Sequence, residues 1–355
     1  MDYELQGKGA IPSPVDARDW TLAAAGAPEK YPEQCFLDTS WMIPSNQGKI
    51  GCCVGCTGEE IVRLILKKTV GAPTEELSFR FVYAIAKCLD GVPSEGTWPS
   101  LVAKIIRTYG VPLAKYCPND VTLDHEDFVY GRKLENIPAE AIADAKLRRA
   151  GFDFNEPVTM EGLQKAIVFA EKNKGGVMIL RRIGDTYWKD KDGNNTWDKE
   201  KLLPMRAPSM IVSGHEELLT GYDYEDGRLR LYWLNSWSPQ WCDNGRAWEY
   251  ADEWLPYIGE LRICVPAIAV VDDFKYTFKK YMRVGDKGPD IVALQHVLKI
   301  EKMFPETQSF TGNYGPITQE GVKQFQIKYL NANNGGKQAG PATIAKLNEL
   351  YSKGI

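Results

Sequence analysis

The sequence predicts an α+β protein with a helical lobe and a β lobe, followed by a small domain of three helices. In the first half of the main segment, apolar residues recur at helical spacing. In its second half, apolar and polar residues alternate as in strands. After a break near residues 270–274, glycine-proline pairs precede short helical stretches, and such pairs are typical of helix starts. Helices and strands that are segregated along a chain favour an α+β arrangement.

The helical half contains three predicted helices. The first covers about residues 53–70, where apolar side chains fall on one face. The second covers residues 78–87. The third covers residues 99–109, and Gly110 provides a stop signal after it.

The β half contains four predicted strands. Residues 177–180 form a short buried run. Residues 216–224 and 229–234 alternate, and the turn at 225–227 joins them into a hairpin. Residues 246–250 give a further strand.

The last part of the chain predicts a compact helical bundle over about residues 291–300, 319–329 and 344–351. Such a unit is small but sufficient to fold. We therefore expect two domains, residues 1–272 and residues 273–355.

Composition and charge exclude several functions. The 355 residues carry a formal net charge of −4, which gives no basic surface for nucleic acid or anionic membranes. We expect no membrane span, because no apolar run approaches about 20 residues. No signal peptide is visible at the amino terminus. An extracellular, cell-wall or virion location is favoured by the function that the motifs indicate, and a cytoplasmic location is the alternative. The eight cysteines are compatible with one or two disulfides and equally with buried free thiols.

Five residues carry a candidate catalytic chemistry. Cys53 stands at the first turn of the first helix, where the helix dipole favours thiolate. His215 is the histidine best placed to accept its proton, since the other two lie in a polar loop and in the carboxy-terminal helices. Asn235 would orient the imidazole, and Trp237 would cover that bond. Gln47 would donate to a developing oxyanion together with the backbone N–H of Cys53.

Two other interpretations compete with this chemistry. Cys52, Cys53 and Cys56 are close enough to suggest zinc, but no second cysteine pair supplies a fourth ligand. Cysteines and histidines are also often plain core residues, in which case the chain would be an inert binding protein. We expect neither metal nor cofactor, and we expect Cys56 to be a core residue.

These residues resemble the papain family of cysteine peptidases. The family pattern is Gln-Gly-x-x-Gly-x-Cys, then Gly-His or Asp-His, then Asn-Ser-Trp, and it matches residues 47–53, 214–215 and 235–237 in order. The resemblance spans about residues 11–268 and implies a papain-like two-lobed fold. It also implies hydrolysis of polypeptide substrates through a thioester acyl-enzyme. Substrate-binding positions carried over from it are Gly96, Thr97, Gly214 and Trp237.

The chain departs from the family pattern at several positions. Ile50 stands where many members carry a disulfide cysteine, and Val54 replaces the usual tryptophan, as in bacterial and viral members. Glu216 follows the histidine where a small residue is common. Residues 11–18 look like the start of a mature enzyme, and the stretch before them is shorter than the family's inhibitory segments. From this we do not expect latency through an amino-terminal segment.

Residues 279–351 resemble the peptidoglycan-binding-like domain family, through turns at 284–290 and 311–318 and the Gly-Pro-Ala-Thr at 340–343. The resemblance implies that this module holds a bacterial or phage enzyme to cell wall. A docking or spacer role is the alternative. The substrate could accordingly be protein, or the peptide stems and cross-bridges of peptidoglycan, as for a lysin.

Overall fold

The structure is a computed structural model that describes residues 9–16, 19, 31–71, 73, 75–184, 205, 207–208, 210–266, 276–301, 303–305 and 310–352. Two compact units can be distinguished, one containing the described residues within 9–15 and 31–266 and the other containing residues 16 and 19 and the described residues from 276 to 352. The domain boundary predicted at 272/273 lies outside the described residues.

Helices and strands are labelled in chain order. The helices are α1 (Cys53–Thr69), α2 (Phe79–Leu89), α3 (Pro99–Thr108), α4 (His125–Phe128), α5 (Ala139–Ala145), α6 (Met160–Lys172), α7 (Ala251–Trp254), α8 (Pro289–Ile300), α9 (Pro316–Leu330) and α10 (Pro341–Tyr351). The strands are β1 (Cys35–Phe36), β2 (Phe152–Asn155), β3 (Gly176–Gly184), β4 (Ile211–Glu225), β5 (Arg228–Leu234), β6 (Arg246–Tyr250), β7 (Ile258–Val265), β8 (Met282–Arg283) and β9 (Gln338–Ala339). Within the described part of the chain, no helix has the length and apolar character needed to cross a bilayer.

The predicted α+β fold class is confirmed. The three predicted helices of the first half correspond to α1, α2 and α3, and the four predicted strands lie in β3 to β6. The prediction missed α6, β2 and β7. A start signal for α6 was present, because the Thr159 side chain accepts a hydrogen bond from the Gly162 N–H at 2.9 Å as a helix cap.

One antiparallel sheet forms the β lobe, in the order β2-β7-β3-β4-β5-β6, with β1 pairing on β4. Helix α1 packs against α2, α3 and β4. Two glycines on α1 permit this close packing. A Cβ at Gly55 would lie 2.9 Å from Tyr83 Cβ, and a Cβ at Gly58 would lie 2.5 Å from Val102 Cγ1. Helix α1 therefore lies close against α2 and α3.

The second unit packs α8, α9 and α10 around one apolar core that includes Leu294, Phe325 and Leu347. Strands β8 and β9 pair across its edge. All three helices begin with a glycine cap followed by proline, as the sequence predicted.

A repeated polar contact links consecutive helices of this unit. Gln295 Nε2 donates to Thr318 Oγ1 at 2.8 Å, and Thr318 lies in the first turn of α9. Gln326 Nε2 donates to Thr343 Oγ1 at 2.9 Å, and Thr343 lies in the first turn of α10. Both glutamines are buried, so each amide satisfies the start of the next helix inside the core.

We expect Gln326→Leu to lower the free energy of unfolding by about 1–3 kcal/mol, because it leaves the Thr343 hydroxyl and the Gln338 carbonyl without this buried donor. Thermal or denaturant unfolding of the full chain measures this. Gln324→Leu is the matched control, since Gln324 is exposed on the same helix. Equal stability of the two variants would contradict the prediction.

Candidate active site

Cys53 lies where α1 meets β4. Its thiol hydrogen-bonds with the backbone of Glu216, the residue that follows His215 on β4. It also hydrogen-bonds with the backbone of Gly9. The predicted nucleophile and the predicted base therefore belong to neighbouring positions across the junction between the lobes.

His215 lies in a buried aromatic environment with Asn235. His215 Nε2 is 2.8 Å from Asn235 Oδ1, and both residues are fully buried. Because an amide oxygen only accepts, Nε2 is the donor in this pair, which assigns the proton-exchanging role to Nδ1. The centroids of the Trp237 and His215 rings lie 4.9 Å apart.

Gln47 is bonded to the segment that carries Asn235. Its backbone N–H donates to the Ser236 carbonyl at 2.9 Å, and its side-chain oxygen accepts from Ser236 Oγ at 2.5 Å. Its side-chain Nε2 donates to the Ile50 carbonyl at 2.9 Å, just before Cys53. Gln47 thus joins the cysteine loop to the Asn-Ser-Trp segment.

Burial opposes ionisation of the Cys53 thiol. Burial raises the pKa of Cys53, while the backbone hydrogen bonds with Glu216 and Gly9 oppose the rise. A backbone group that lowers a thiol pKa is an N–H donor, so the sulfur faces N–H groups there. Burial therefore acts against the thiolate that the start of α1 was expected to favour.

The covering residues are the segment Gly9–Ile11, which lies across the groove between the lobes as an extended peptide. On one side, the Thr97 N–H donates to the Gly9 carbonyl at 2.9 Å and the Ile11 N–H donates to the Thr97 carbonyl at 2.9 Å. On the other side, the Ala10 N–H donates to the Gly214 carbonyl at 3.2 Å. We call residues 9–11 the groove segment. Thr97 and Gly214, two of the residues predicted to bind substrate, therefore hydrogen-bond to the backbone of this segment.

Close backbone contact in the groove requires glycine at three positions. A Cβ at Gly9 would lie 2.1 Å from the Gly51 oxygen, and a Cβ at Gly214 would lie 2.0 Å from the Ala10 oxygen. A Cβ at Gly96, whose φ is +90°, would lie 2.2 Å from the Gly9 oxygen. The groove fits a backbone and little else at these points.

This arrangement differs from the sequence-based expectation about latency. The short stretch before residue 11 gave no reason to expect an amino-terminal cover. Hydrogen bonding to both walls requires only a few residues, however, so a family-sized segment is not needed to occupy the groove.

A buried lysine fixes the wall that carries Gly96 and Thr97. Lys87 Nζ donates to Asp90 Oδ2 and to the carbonyls of Val92, Ser94 and Gly96 at 2.9–3.0 Å. One helical turn earlier, the Tyr83 hydroxyl accepts from the Gly96 N–H at 2.9 Å. Sequence reasoning missed both residues. The signal available was a lysine on the apolar face of α2, at i+4 from Tyr83.

The same loop is tied to the loop before Cys53, because Glu95 Oε2 accepts from the Gly51 N–H at 2.7 Å. A polar contact thus joins the loop that carries Thr97 to the loop that precedes Cys53. No disulfide does this, since all eight cysteines are free thiols.

Buried charges lie behind the imidazole. Glu217 Oε1 is 3.9 Å from His215 Nε2, and Glu217 Oε2 is 2.9 Å from Arg181 Nε. Arg181 also pairs with Glu249. Burial raises the pKa of Glu249 to about 8, although Arg181 acts against it. The Glu217 carboxylate, paired with Arg181, therefore lies near the ring that must become positive during proton transfer.

Cys52 and Cys56 pack with Phe79 and Tyr83 in an apolar cluster, as expected for Cys56. In the described part of the chain, no group of three or more histidine, cysteine or acidic side chains is arranged to hold a metal ion.

No protein-family model and no curated protein matches the chain. Several solved structures match it. The chain is similar to xylellain, a cysteine protease from Xylella fastidiosa, with a TM-score of 0.59 and 18% identity over 74% of this chain and 97% of that one. It is also similar to digestive procathepsin L 3 of Tenebrio molitor larval midgut, with a TM-score of 0.51 and 15% identity over 73% and 76% of the two chains. A recombinant stem bromelain precursor is similar as well, with a TM-score of 0.51 and 17% identity over 75% of this chain and 79% of that one. The fold is therefore papain-like, as the sequence predicted.

We expect Gly9→Val to expose Cys53, because its Cβ would overlap the Gly51 oxygen and the groove segment could not bind as it does. Alkylation of Cys53 by iodoacetamide, followed by site-resolved mass spectrometry, should be at least about tenfold faster than in the unchanged chain. Relief of burial should also lower the pKa of Cys53, so the midpoint of the pH–rate profile should move to lower pH.

The control for this variant is Pro12→Val, an exposed position in the adjoining stretch, which should react like the unchanged chain. Unchanged unfolding temperatures would show that neither substitution disrupts the lobes. Equal alkylation of the Gly9→Val and Pro12→Val chains would contradict the covering role of the groove segment.

Proposed function

We propose that this chain is a cysteine peptidase that hydrolyses polypeptides in the groove between its two lobes. Cys53 is the nucleophile, His215 the general base and acid, and Asn235 the residue that orients His215. Gln47 and the Cys53 N–H would stabilise the oxyanion. Gly96, Thr97 and Gly214 would bind the substrate backbone.

The reaction follows from these roles. His215 Nδ1 takes the thiol proton, and the Cys53 sulfur attacks the peptide carbonyl carbon. The tetrahedral oxyanion accepts hydrogen bonds until the C–N bond breaks and His215 protonates the leaving amine. A thioester acyl-enzyme remains. Water, deprotonated by His215, then attacks that thioester and restores the thiol.

One observation carries this proposal more than the others. The groove segment is itself a peptide strand, bonded to Thr97 and Gly214 with Cys53 against its first residue. A groove that binds a backbone next to a thiol, a histidine and an amide has the parts that peptide hydrolysis requires. The papain-like fold and the names of the similar proteases agree with it.

We expect Cys53→Ala and, separately, His215→Ala to remove hydrolysis of a labelled general protein substrate. Cys35→Ala, which changes a half-buried cysteine of β1, should retain it. The three variants should be compared in the unchanged chain and in the Gly9→Val chain, so that a closed groove is not mistaken for inactivity. Turnover by either purified active-site variant would disprove the proposed mechanism.

We further propose that residues 279–351 hold the enzyme to bacterial cell wall. This rests on the sequence resemblance and on the three-helix unit around Leu294, Phe325 and Leu347. It leaves open whether the enzyme cuts proteins at the wall or the peptides of the wall itself. An inert binding protein would have the wall affinity without the hydrolysis.

Purified peptidoglycan separates these cases. We expect the full-length Cys53→Ala chain to sediment with it, and a carboxy-terminal truncation at residue 275 to remain in solution. New amino termini released by the Gly9→Val chain would identify a lysin, while their absence with protein hydrolysis intact would identify a wall-bound protease. A full-length chain that does not sediment would contradict the wall-binding proposal.

A further inference from the structure

Two thiols stand one turn apart at the start of α1. Cys53 is the first residue of this helix, and Cys56 follows it after two residues. Two cysteines at this spacing, with the first at a helix start, are the arrangement that thiol–disulfide oxidoreductases use. The proposed hydrolysis needs the Cys53 sulfur alone, so it gives Cys56 no chemical role.

The sulfur of Cys56 is directed toward the start of the helix. Its thiol hydrogen-bonds with the thiol of Cys52, the residue immediately before Cys53. The Cys53 thiol is also close enough to act on Cys56 electrostatically. This direction is the ordinary one, because helical side chains lean toward the amino terminus of their helix. Three thiols therefore meet at one end of α1, and all three are fully buried.

A bond between the sulfurs of Cys53 and Cys56 requires only a local adjustment. Residues three apart on a helix have Cβ atoms about 5–6 Å apart, and a disulfide needs a Cβ separation of about 3.5–4.5 Å. The first turn of a helix can close such a gap more readily than later turns, because its first N–H groups have no partner within the helix.

The two thiols differ in how they can be reached. Cys53 contacts the groove segment at Gly9, so displacement of that segment opens a path to its sulfur. Cys56 lies in the apolar cluster with Phe79 and Tyr83. Burial raises the pKa of Cys56 well above its usual value, and the hydrogen bond with Cys52 adds to the rise. A disulfide from solution should therefore react first at Cys53, and Cys56 should react only within the chain, where proximity offsets its low thiolate fraction.

We propose that Cys56 is the resolving cysteine of a redox switch that converts Cys53 reversibly into an internal disulfide. The Cys53 thiolate attacks a small-molecule disulfide, forms a mixed disulfide and releases one thiolate. Cys56, once deprotonated, attacks the Cys53 sulfur, forms the Cys53–Cys56 bond and expels the second thiolate. Two protein thiols are oxidised, and one small disulfide is reduced to two small thiols.

The switch rests on the proposed function for its effect on catalysis, since a sulfur bonded in a disulfide cannot attack a peptide. The bond itself can be detected without turnover. A Cys53 sulfur held in this way is also kept from the sulfinic and sulfonic acids, which thiols do not restore. Reduction by a dithiol should return both cysteines to thiols.

Oxidised glutathione is the probe, applied to the Gly9→Val chain at about pH 8.5, where thiolates form more readily. Trypsin should release residues 50–63 as one peptide that contains all three thiols. With Cys52→Ala added, this peptide should become lighter by two hydrogens, which only a Cys53–Cys56 bond can give. With Cys56→Ala added instead, the mixed disulfide on Cys53 should persist at least about tenfold longer.

The Cys52→Ala chain is the matched control, because it removes the neighbouring thiol and keeps the resolving one. The same two substitutions in the chain that retains Gly9 should give the same products more slowly, so the test does not depend on the Gly9→Val change. Hydrolysis of a labelled protein by the Cys52→Ala chain should fall as the internal bond forms and return after treatment with dithiothreitol.

The outcomes separate the switch from the peptidase. Mixed disulfides that persist equally in the Cys52→Ala and Cys56→Ala chains would overturn the switch. An equally fast loss of two hydrogens in the Cys56→Ala chain would also overturn it, because Cys52 would then be the resolving thiol. An internal disulfide in a chain that never hydrolyses protein would refute the peptidase and leave the switch standing.

Discussion

The groove depends on one constraint, which is that a peptide backbone must approach both walls within hydrogen-bond distance. Thr97 pairs with it from the helical lobe and Gly214 from the β lobe. Side chains at positions 96 and 214 would collide with that backbone, so both are glycine. Everything else in the site is arranged around the strand that these two glycines admit.

Rigidity of the walls comes from buried polar groups. Lys87 donates hydrogen bonds to carbonyls of the loop before Thr97. Glu95, in the same loop, accepts a hydrogen bond from the Gly51 N–H. On the opposite side, Gln47 bonds to Ser236 beside Asn235. Each contact satisfies backbone or amide groups that burial would otherwise leave unpaired, and the result is a groove whose donors and acceptors are held in place before a peptide arrives.

Sequence reasoning succeeded where local pattern and chemistry act together. Short motifs predict the helix α1 from the spacing of its apolar residues, and they predict the hairpin β4–β5 from its turn. The His215–Asn235 contact likewise follows from short motifs. It failed where the deciding contacts are long-range. Ser13 and Glu260 are separated by 247 residues, and Gly9 meets Gly51 only after both lobes form. Strand β7 was missed because it joins the sheet between β2 and β3, far from its neighbours in sequence. Buried acids such as Glu217 read as surface residues until their partner Arg181 is known.

The groove segment is held by contacts that any peptide backbone can make. Ala10 donates its N–H to the Gly214 carbonyl, and Gly9 and Ile11 pair with Thr97 through their own backbone groups. A second peptide strand would replace these hydrogen bonds one for one, so exchange of the segment for such a strand would change the hydrogen-bond free energy little. The side chains on either side of the backbone would then decide which strand occupies the groove.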